Sequence, residues 1–342
     1  MNTFSVGHPS IKDIARAAKV SHPTVSRALR HSPLVKLETA ERIRRIASTM
    51  GYRPSAIARS LVTKKTNTIG VVVTTISDPF IGEVVSGIEE IADNHGYSVI
   101  LANSNADPDR EIKVVHSFHE RRADGILITS SRVGALYLPL LRELKVPIVL
   151  INNQYPGEFI HSVTIDNVTA SRDATRHLTQ LGHKRIAYIG DQFGFQSDAE
   201  RLAGYRRALE EAGLSLFPEL IAAGDSRAEG GTRAMQQLLT LSTPPTALFC
   251  YNDMTALGAL SCIRANGLKV PQDISVVGFD DLMIASYTNP PLTTIRQPKR
   301  RLGGAAMEML LKLFSGVHSE THTKMPGELI VRESTAPPQK EA

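Results

Sequence analysis

The sequence predicts an all-α helix-turn-helix unit followed by an α/β unit that contains two parallel sheets. Near the N-terminus, apolar residues recur at helical spacing between turn signals, as is typical of short packed helices. From Ile69 onward, apolar runs alternate with amphipathic helices, which is the pattern of parallel strands joined by helical crossovers. The 342 residues are enough for two or three domains, and we place their boundaries at residues 1–51, 52–67 and 68–342.

Residues 11–30 predict two short helices joined by a tight turn. Ser10 lies three residues before Asp13, so these two side chains can cap the free backbone N–H groups of the first helix. Ile14 and Ala18 give that helix one apolar side. A second helix can therefore pack closely against it.

The second helix has its own start signals. Ser21 is suited to the N-cap, and Pro23 fits the first turn because no backbone N–H is needed there. Val25 and Leu29 lie at helical spacing and should face inward. The remaining positions should point outward: His22, Pro23, Thr24, Ser26 and Arg27.

A third helix is predicted over residues 37–50, and Gly51 ends it. Pro54 then interrupts the chain, and Ser55 can cap a short helix that reaches Leu61. About seven residues do not form a stable helix alone in water, so this segment should become ordered only when it is docked.

The α/β unit contains two series of strands and helices, and the second series is predicted to begin at Val163. Two similar series indicate two halves with a cleft between them. The first series has strands near 69–74, 98–103, 125–130 and 148–152, and helices near 81–94, 108–122 and 134–144. The second has strands near 163–166, 186–190, 219–224, 247–252 and 274–280.

Several stretches of the chain resemble one known family. IKDIARAAKVSHPTVSRAL resembles the headpiece of the lactose-repressor (LacI/GalR) family of bacterial transcription regulators, and ERIRRIASTMGYRPSAIARSL resembles its third helix and hinge helix. GVVVTTISDPF, ERLAGYRRAL, YNDMTALGAL and VVGFDDLMIASYTNPPLTTIRQP are similar to its sensor domain. The resemblance runs from about Ile11 to Pro337, and an ordered series of this length is far more specific than a single helix-turn-helix pattern.

The resemblance implies that the α/β unit is a sensor similar to a periplasmic sugar-binding protein. In that family the chain passes three times between the two halves. We therefore expect the first half to contain residues 68–162 and 297–325, and the second half 163–293 and 326–337.

The exposed face of the second helix and the resemblance together predict double-stranded DNA as a partner. Thr24 and Ser26 are suited to phosphate contacts, and Arg27 to reading a guanine. His22 and Pro23 occupy the two positions by which family members discriminate operators, although a role in capping alone stays open. Paired hinge helices would add minor-groove contacts from Ser55, Ala58, Arg59 and Leu61.

The charge distribution agrees with a nucleic-acid partner. Residues 1–65 hold 13 Lys and Arg against three acidic residues, a net charge of +10, whereas the rest of the chain holds 26 against 31, or −5. A basic unit attached to an acidic body favours a polyanion, and its binding should depend strongly on salt.

A ligand site is expected at the carboxyl ends of the strands, where open α/β sheets bind small molecules. Arg201, Asn252 and Asp280 should meet there and hold hydroxyl groups, while Phe80 offers an apolar face to a sugar ring. Ligand-contacting positions of the family match these four residues. Two strand-end residues complete the predicted set: Thr74 and Thr129.

We therefore expect a homodimeric repressor that binds a pseudo-palindromic operator and responds to a sugar, sugar acid or sugar phosphate. The alternative is a sugar-binding sensor that does not read DNA specifically. Whether the effector releases or strengthens DNA binding stays open, as does assembly beyond the dimer.

Other classes of protein receive little support. The chain carries no phosphate-loop, G-x-S-x-G, H-E-x-x-H or dinucleotide motif, so we expect neither an enzyme nor a cofactor or metal site. Asp280 and Asp281 should point in opposite directions and form no carboxylate pair. Cys250 and Cys262 should be core thiols. The absence of a membrane-length apolar run or a signal peptide predicts a cytoplasmic protein without a membrane partner.

Overall fold

The computed structural model describes residues 9–52, 65–131, 133, 144, 146–153, 161–316 and 321–339. The chain divides into two compact units, of which the first ends at Thr66 and the second begins at Asn67. Within the described residues, no helix is long and apolar enough to cross a membrane. The predicted hinge helix, with Ser55, Ala58, Arg59 and Leu61, and most of the predicted helix at 134–144 lie outside the described residues.

Residues 9–52 of the first unit form three helices: α1 (Ile11–Ala18), α2 (His22–Leu29) and α3 (Leu37–Thr49). The capping of α1 is confirmed, because Ser10 Oγ accepts from the backbone N–H of Asp13 and the Asp13 carboxylate accepts from the backbone N–H of Ser10. Ser21 occupies the N-cap of α2 as predicted, but its hydroxyl bonds the Thr24 hydroxyl at 2.8 Å instead of a backbone N–H.

A small apolar core joins the three helices. Ile14 of α1, Val25 of α2 and Ile43 of α3 are fully buried at its centre. The prediction for Leu29 was wrong in part, since Ala28 is buried in α2 while Leu29 packs at the margin of the core. Ala28 follows Val25 by three residues, and this spacing places it on the same helical face.

The second unit is an α/β structure. Its strands are β1 (Thr68–Val73), β2 (Ser98–Asn103), β3 (Gly125–Thr129), β4 (Ile148–Ile151), β5 (His161–Ile165), β6 (Ile186–Asp191), β7 (Ile221–Gly224), β8 (Ala247–Cys250), β9 (Ser275–Asp280), β10 (Thr293–Arg296), β11 (His322–Met325) and β12 (Glu328–Ile330). Its helices are α4 (Pro79–Asn94), α5 (Pro108–Glu120), α6 (Asn167–Gln180), α7 (Gln196–Glu211), α8 (Ala228–Leu239), α9 (Asp253–Ala265) and α10 (Lys299–Phe314). In the part of the chain that the structure describes, two short 3₁₀ helices cover Pro218–Leu220 and Met283–Ser286.

The described strands form two sheets, each of six strands, and the predicted fold class of two largely parallel sheets is confirmed. The first sheet has the order β2-β1-β3-β4-β5-β11 and is parallel throughout. The second has the order β7-β6-β8-β9-β10-β12, in which only β12 runs antiparallel. The chain passes between the sheets after β5, after β10 and after β11.

The prediction that the second half begins at Val163 was wrong. Strand β5 lies in the first sheet, where Ile151 of β4 pairs with Val163, and β11 pairs with β5 on its other side. A buried parallel strand has the same apolar pattern in either sheet, so the sequence pattern could not indicate which sheet takes it. The chain leaves the first sheet only after Ile165.

Both cysteines lie in the core of the second sheet. Cys250 ends β8, Cys262 lies on α9, and both are buried free thiols, as predicted.

Helices α4 and α10 pack closely on one face of the first sheet, and glycines permit their approach. A Cβ atom at Gly87 of α4 would overlap the backbone carbonyl of Arg300. A Cβ atom at Gly303 of α10 would overlap the backbone carbonyl of Val84. Gly82, on the exposed face of α4, has open space where a Cβ would be.

We expect Gly87→Ala to lower the free energy of unfolding of the second unit by about 1–3 kcal/mol, because the helices must separate. The matched change Gly82→Ala should raise it by about 0.5–1 kcal/mol, since alanine favours the helix and meets no neighbour. Urea unfolding measures both. Equal effects at the two positions would show that the close helix contact is absent.

Candidate functional site

The outward face of α2 has the predicted composition. His22, Pro23 and Arg27 are exposed, and Thr24 and Ser26 are half-buried. Pro23 lies in the first turn of the helix, as predicted. Helix α2 therefore presents an imidazole and a proline ring at its N-terminus and a guanidinium group in its last turn.

Arg30 is a further cation on this face, and it was not predicted from the sequence. Arg30 Nη2 donates to Ser26 Oγ at 3.1 Å, and Arg30 Nε donates to the Ser26 carbonyl at 3.2 Å. The spacing of four residues within one helix was the available signal. Ser26 is thus oriented by Arg30, and both can face the same phosphate.

The second unit contains a cavity of about 300 Å³ at the carboxyl ends of both sheets. Thr74 and Phe80 follow β1, while Arg201, Asn252 and Asp280 come from elements at the strand ends of the second sheet. Five of the six predicted ligand residues therefore line one cavity. Its volume lies at the lower end of the range of about 300–1,000 Å³ that is usual for small-molecule sites.

Thr129 was predicted incorrectly. It is the last residue of β3, and its buried hydroxyl donates to the Val72 carbonyl at 3.3 Å. Ser130 lines the cavity in its place. Its backbone has a positive φ of 46°, so the chain turns sharply at the point where the sequence predicted a further strand residue.

Arg201 is the buried cation of the cavity, with 3% of its surface exposed. Its Nε donates to Asn167 Oδ1 at 3.1 Å, and its Nη1 donates to the Tyr251 carbonyl at 2.5 Å. The guanidinium carbon lies 4.5 Å from the ring centroid of Tyr251 and 3.7 Å from that of Phe279. These contacts fix its position before any ligand binds.

Asp280 lies in a strained turn that is held by buried side chains. Asp280 and Asp281 both have positive φ, 122° and 50°. Lys299 Nζ donates to the carbonyl oxygens of both residues, at 2.7 and 2.8 Å. Gln297 Nε2 donates to Asp280 Oδ1 at 2.6 Å and so orients the carboxylate.

The two aspartates of this turn have separate partners. Asp281 accepts from Arg296 at 2.7 Å and from Arg332 at 2.5 Å. Although burial opposes the shift, these two arginines lower the pKa of Asp281. Burial raises the pKa of Asp280 well above its ordinary value, and Arg201 opposes that change. Of these two aspartates, Asp280 lines the cavity and Asp281 does not.

Asn252 and Asp78 combine a structural role with a place in the cavity wall. Asn252 Oδ1 accepts from the backbone N–H of Thr255 at 2.8 Å and caps α9, while Asn252 Nδ2 donates to the Ser226 carbonyl at 3.0 Å. Asp78 Oδ1 accepts from the backbone N–H of Phe80 at 2.9 Å and caps α4.

Several lining residues were not singled out from the sequence. Asn152 and Gln297 follow β4 and β10, so their positions after buried strands were an available signal. Three aromatic residues carried no such signal, because aromatic residues near strand ends usually belong to the core: Phe193, Phe195 and Tyr251.

Asp191, at the end of β6, lies behind the cavity wall. Its carboxylate accepts from the Ser226 hydroxyl and, at 2.6 Å, from the backbone N–H of Phe193. Burial raises the pKa of Asp191 to about 6, although these hydrogen bonds oppose the shift.

Fold and sites define a class of protein: a helix-turn-helix DNA-binding regulator with an α/β ligand-sensing unit. Residues 10–55 match the model of the lacI family of bacterial regulatory proteins, and residues 175–335 match that of a periplasmic binding protein-like domain. The transcriptional repressor CytR of Escherichia coli K12 is 39% identical over 328 residues, which cover 95% of this chain and 96% of CytR.

Solved structures give the same assignment. The lac repressor dimer bound to operator superposes with a TM-score of 0.88 at 29% identity, covering 96% of this chain and 99% of that one. The regulator CelR in complex with cellobiose superposes with a TM-score of 0.74 at 31% identity, covering 95% and 99%. The chain belongs to the LacI family of bacterial regulatory proteins. Its relatives are transcription regulators and not enzymes, and this chain is a transcription regulator.

The raised pKa of Asp191 predicts a pH dependence of stability. The folded state holds this proton more tightly than the unfolded chain does, so the contribution of Asp191 to stability falls as pH rises from about 4 to about 6. Relative to wild type, the free energy of unfolding of Asp191→Asn should therefore increase by about 1–3 kcal/mol between pH 4 and pH 7.

Urea unfolding at a series of pH values measures this difference. Glu210→Gln, at an exposed position of α7, is the matched control and should follow wild type. If the Asp191→Asn curve also runs parallel to wild type, the pKa of Asp191 is not raised.

Proposed function

We propose that this protein is a homodimeric repressor that binds a pseudo-palindromic operator, and that a sugar-like effector in the cavity controls its DNA affinity. The observation that carries the proposal is the presence in one chain of an exposed α2 face and a preformed polar cavity. A pure sensor would need only the cavity. In this proposal the protein is cytoplasmic, because operator DNA is available to a bacterial regulator in that compartment.

In this proposal α2 lies in the major groove of DNA. Arg27 reads a guanine, and Thr24 and Ser26 contact phosphates. Pro23 lacks a donor and makes only apolar contact, such as with a thymine methyl group, so His22 carries most of the choice of sequence. Hinge residues complete the interface in the minor groove: Ser55, Ala58, Arg59 and Leu61.

The effector proposal rests on the chemistry of the cavity. Arg201, Asn252 and Asp280 are suited to hydroxyl groups, and Phe80 to the apolar face of a sugar ring. The relative CelR was solved with cellobiose, which supports a sugar-like ligand as the class. On these groups alone the effector is a sugar, a sugar acid or a sugar phosphate.

Exposed apolar residues support the homodimer. In the 3₁₀ helix after β9, Met283 is 78% exposed and Tyr287, just beyond it, is 76% exposed. On the edge strand β2 of the first sheet, Ile100 and Leu101 are also exposed. Large apolar side chains that are exposed in one chain are candidates for a contact with a second copy. A two-fold dimer would place two α2 helices on two half-sites.

Selection of genomic fragments with the purified protein at physiological salt tests the DNA function. We expect enrichment of a short palindrome. Arg27→Ala should weaken binding to that palindrome about 5–150-fold and relax the preference at one base pair of each half-site, because a bidentate contact with guanine contributes about 1–3 kcal/mol.

Arg207→Ala, at an exposed position of α7, is the control and should leave both affinity and preference unchanged. Uniform, salt-sensitive binding without an enriched sequence would support the alternative, a sugar sensor that does not read DNA specifically.

The dimer is tested by Tyr287→Asp. A charge in the centre of an apolar contact should shift the protein from dimer to monomer in sedimentation velocity, with a loss of operator affinity of at least about tenfold. Leu216→Asp introduces the same charge at another exposed apolar position and should stay dimeric. Dimers in both variants would exclude Tyr287 from the interface.

A further inference from the structure

A buried lysine links the two halves of the second unit, each of which is built around one sheet. Lys299 is 5% exposed, and its Nζ donates to the carbonyl oxygens of Asp280 and Asp281. Glu83 Oε1 lies 3.4 Å from the same Nζ and balances its charge. An ammonium group has three donors and no acceptor, so three oxygen partners match its bonding capacity. Because a buried cation without partners is costly, these contacts define where the group lies.

The main chain of Lys299 belongs to the first half. This residue begins α10, which packs on β3, β4 and β5 of the first sheet. One turn further along α10, Gly303 lies so close to α4 that a Cβ atom there would overlap the Val84 carbonyl. Helices in such close contact move together, because a close-packed interior does not deform continuously. Lys299 and Glu83 therefore belong to one rigid pair of helices.

The two carbonyl groups that Lys299 bonds belong to the second half. Asp280 is the last residue of β9, and the turn that follows it is bound to the second half at several points. The backbone N–H of Leu282 donates at 2.7 Å to Asp253 Oδ2, at the start of α9. Arg296 of β10 donates to the carboxylate of the second turn residue. The turn therefore moves with the second sheet, whereas the lysine moves with the first.

Both ends of this link carry residues of the cavity wall. Asp280 lines the cavity from the turn, and Phe80 lines it from the first turn of α4. Phe80 and Glu83 are three residues apart, so they lie on the same side of that helix. A shift of one wall relative to the other must therefore change the contacts of the ammonium group.

We propose that Lys299 is a positioning residue that sets the arrangement of the two halves of the sensor, with Glu83 as its partner on α4. The inference rests on the proposed function, because an effector controls DNA binding only if it changes the population of such arrangements. In the structure the ammonium group has three oxygen partners. Displaced halves would separate it from the carbonyls of Asp280 and Asp281, so the lysine favours the first arrangement.

Distances between spin labels on the two halves test this role without any ligand. Labels are attached at two exposed positions, Glu90→Cys on α4 and Glu210→Cys on α7, while the native Cys250 and Cys262 are buried. The full-length protein is diluted with an excess of its unlabelled form, so that distances between two copies do not contribute. Double electron–electron resonance should then give one narrow distance distribution for the otherwise unchanged protein.

Lys299→Met keeps a long unbranched side chain and removes the ammonium group. We expect its distance distribution to shift or widen by more than about 2 Å, the size of a domain rearrangement. Glu83→Gln leaves both carbonyl bonds in place, so its effect should be smaller, and it should add nothing in the Lys299→Met background. Lys312→Met, at an exposed position in the last turn of α10, is the matched control and should leave the distribution unchanged.

A lysine with a purely structural role would give a different result. Lys299→Met would then lower the free energy of unfolding in urea, yet leave the distances in the folded protein unchanged. That result would overturn the proposal, as would an equal shift in Lys312→Met. If Lys299→Met does not fold, Glu83→Gln decides, because its side chain is partly exposed and the change removes only a charge. An unchanged distribution in that variant would then overturn the proposal.

Operator affinity, measured in parallel on the selected palindrome, separates this inference from the proposed function. The altered arrangement in Lys299→Met should change operator affinity by about 5–150-fold, the usual size of an allosteric coupling. A changed distance distribution with unchanged operator affinity refutes the control of DNA binding and leaves the role of Lys299 intact. An unchanged distribution refutes the role of Lys299, whatever the operator affinity.

Discussion

The buried ammonium group of Lys299 stabilises the place where the two sheets of the sensor meet. Lys299 begins α10, which packs on the first sheet, yet its Nζ donates to the carbonyls of Asp280 and Asp281 at the end of β9 in the second sheet. Glu83 of α4 lies 3.4 Å from the same ammonium group. A buried cation is tolerated only with such partners. The ammonium group of Lys299 holds the turn in which Asp280 and Asp281 have positive φ. This turn presents Asp280 to the cavity.

The cavity is built from positions at which strands end. Ser130, Asn152 and Asp280 each follow or finish a buried strand, and each has a positive φ. This conformation costs about 1 kcal/mol or more for a residue with a side chain. Three such residues at one cavity therefore indicate that packing of the sheets holds the strand ends in place. The polar wall is rigid before a ligand arrives, which reduces the entropy lost on binding.

The architecture can be predicted from the sequence because the signals for its helices and strands are local. Apolar spacing predicts the strands and helices, and the Ser10–Asp13 capping box is visible in four residues. The sheet that contains β5 is decided by long-range pairing, so the sequence pattern of this strand could not assign it. Thr129 and Ser130 differ by one residue, which reverses the direction of a strand side chain. Gln297 and Asn152 become part of the site only through buried contacts that no spacing reveals.

Control of DNA binding requires that an effector bind two arrangements of the sensor with different free energies, since equal affinity shifts no population. A ligand held by one sheet alone would fail this requirement. Asn152 and Phe80 follow strands of the first sheet, Asp280 and Asn252 follow strands of the second, and Gln297 lies in a segment that passes between them. A ligand that bonds both sets loses one set when the sheets separate. Each lost hydrogen bond is worth about 0.5–1.5 kcal/mol. A few such bonds give the coupling of about 1–3 kcal/mol that is typical of allosteric proteins.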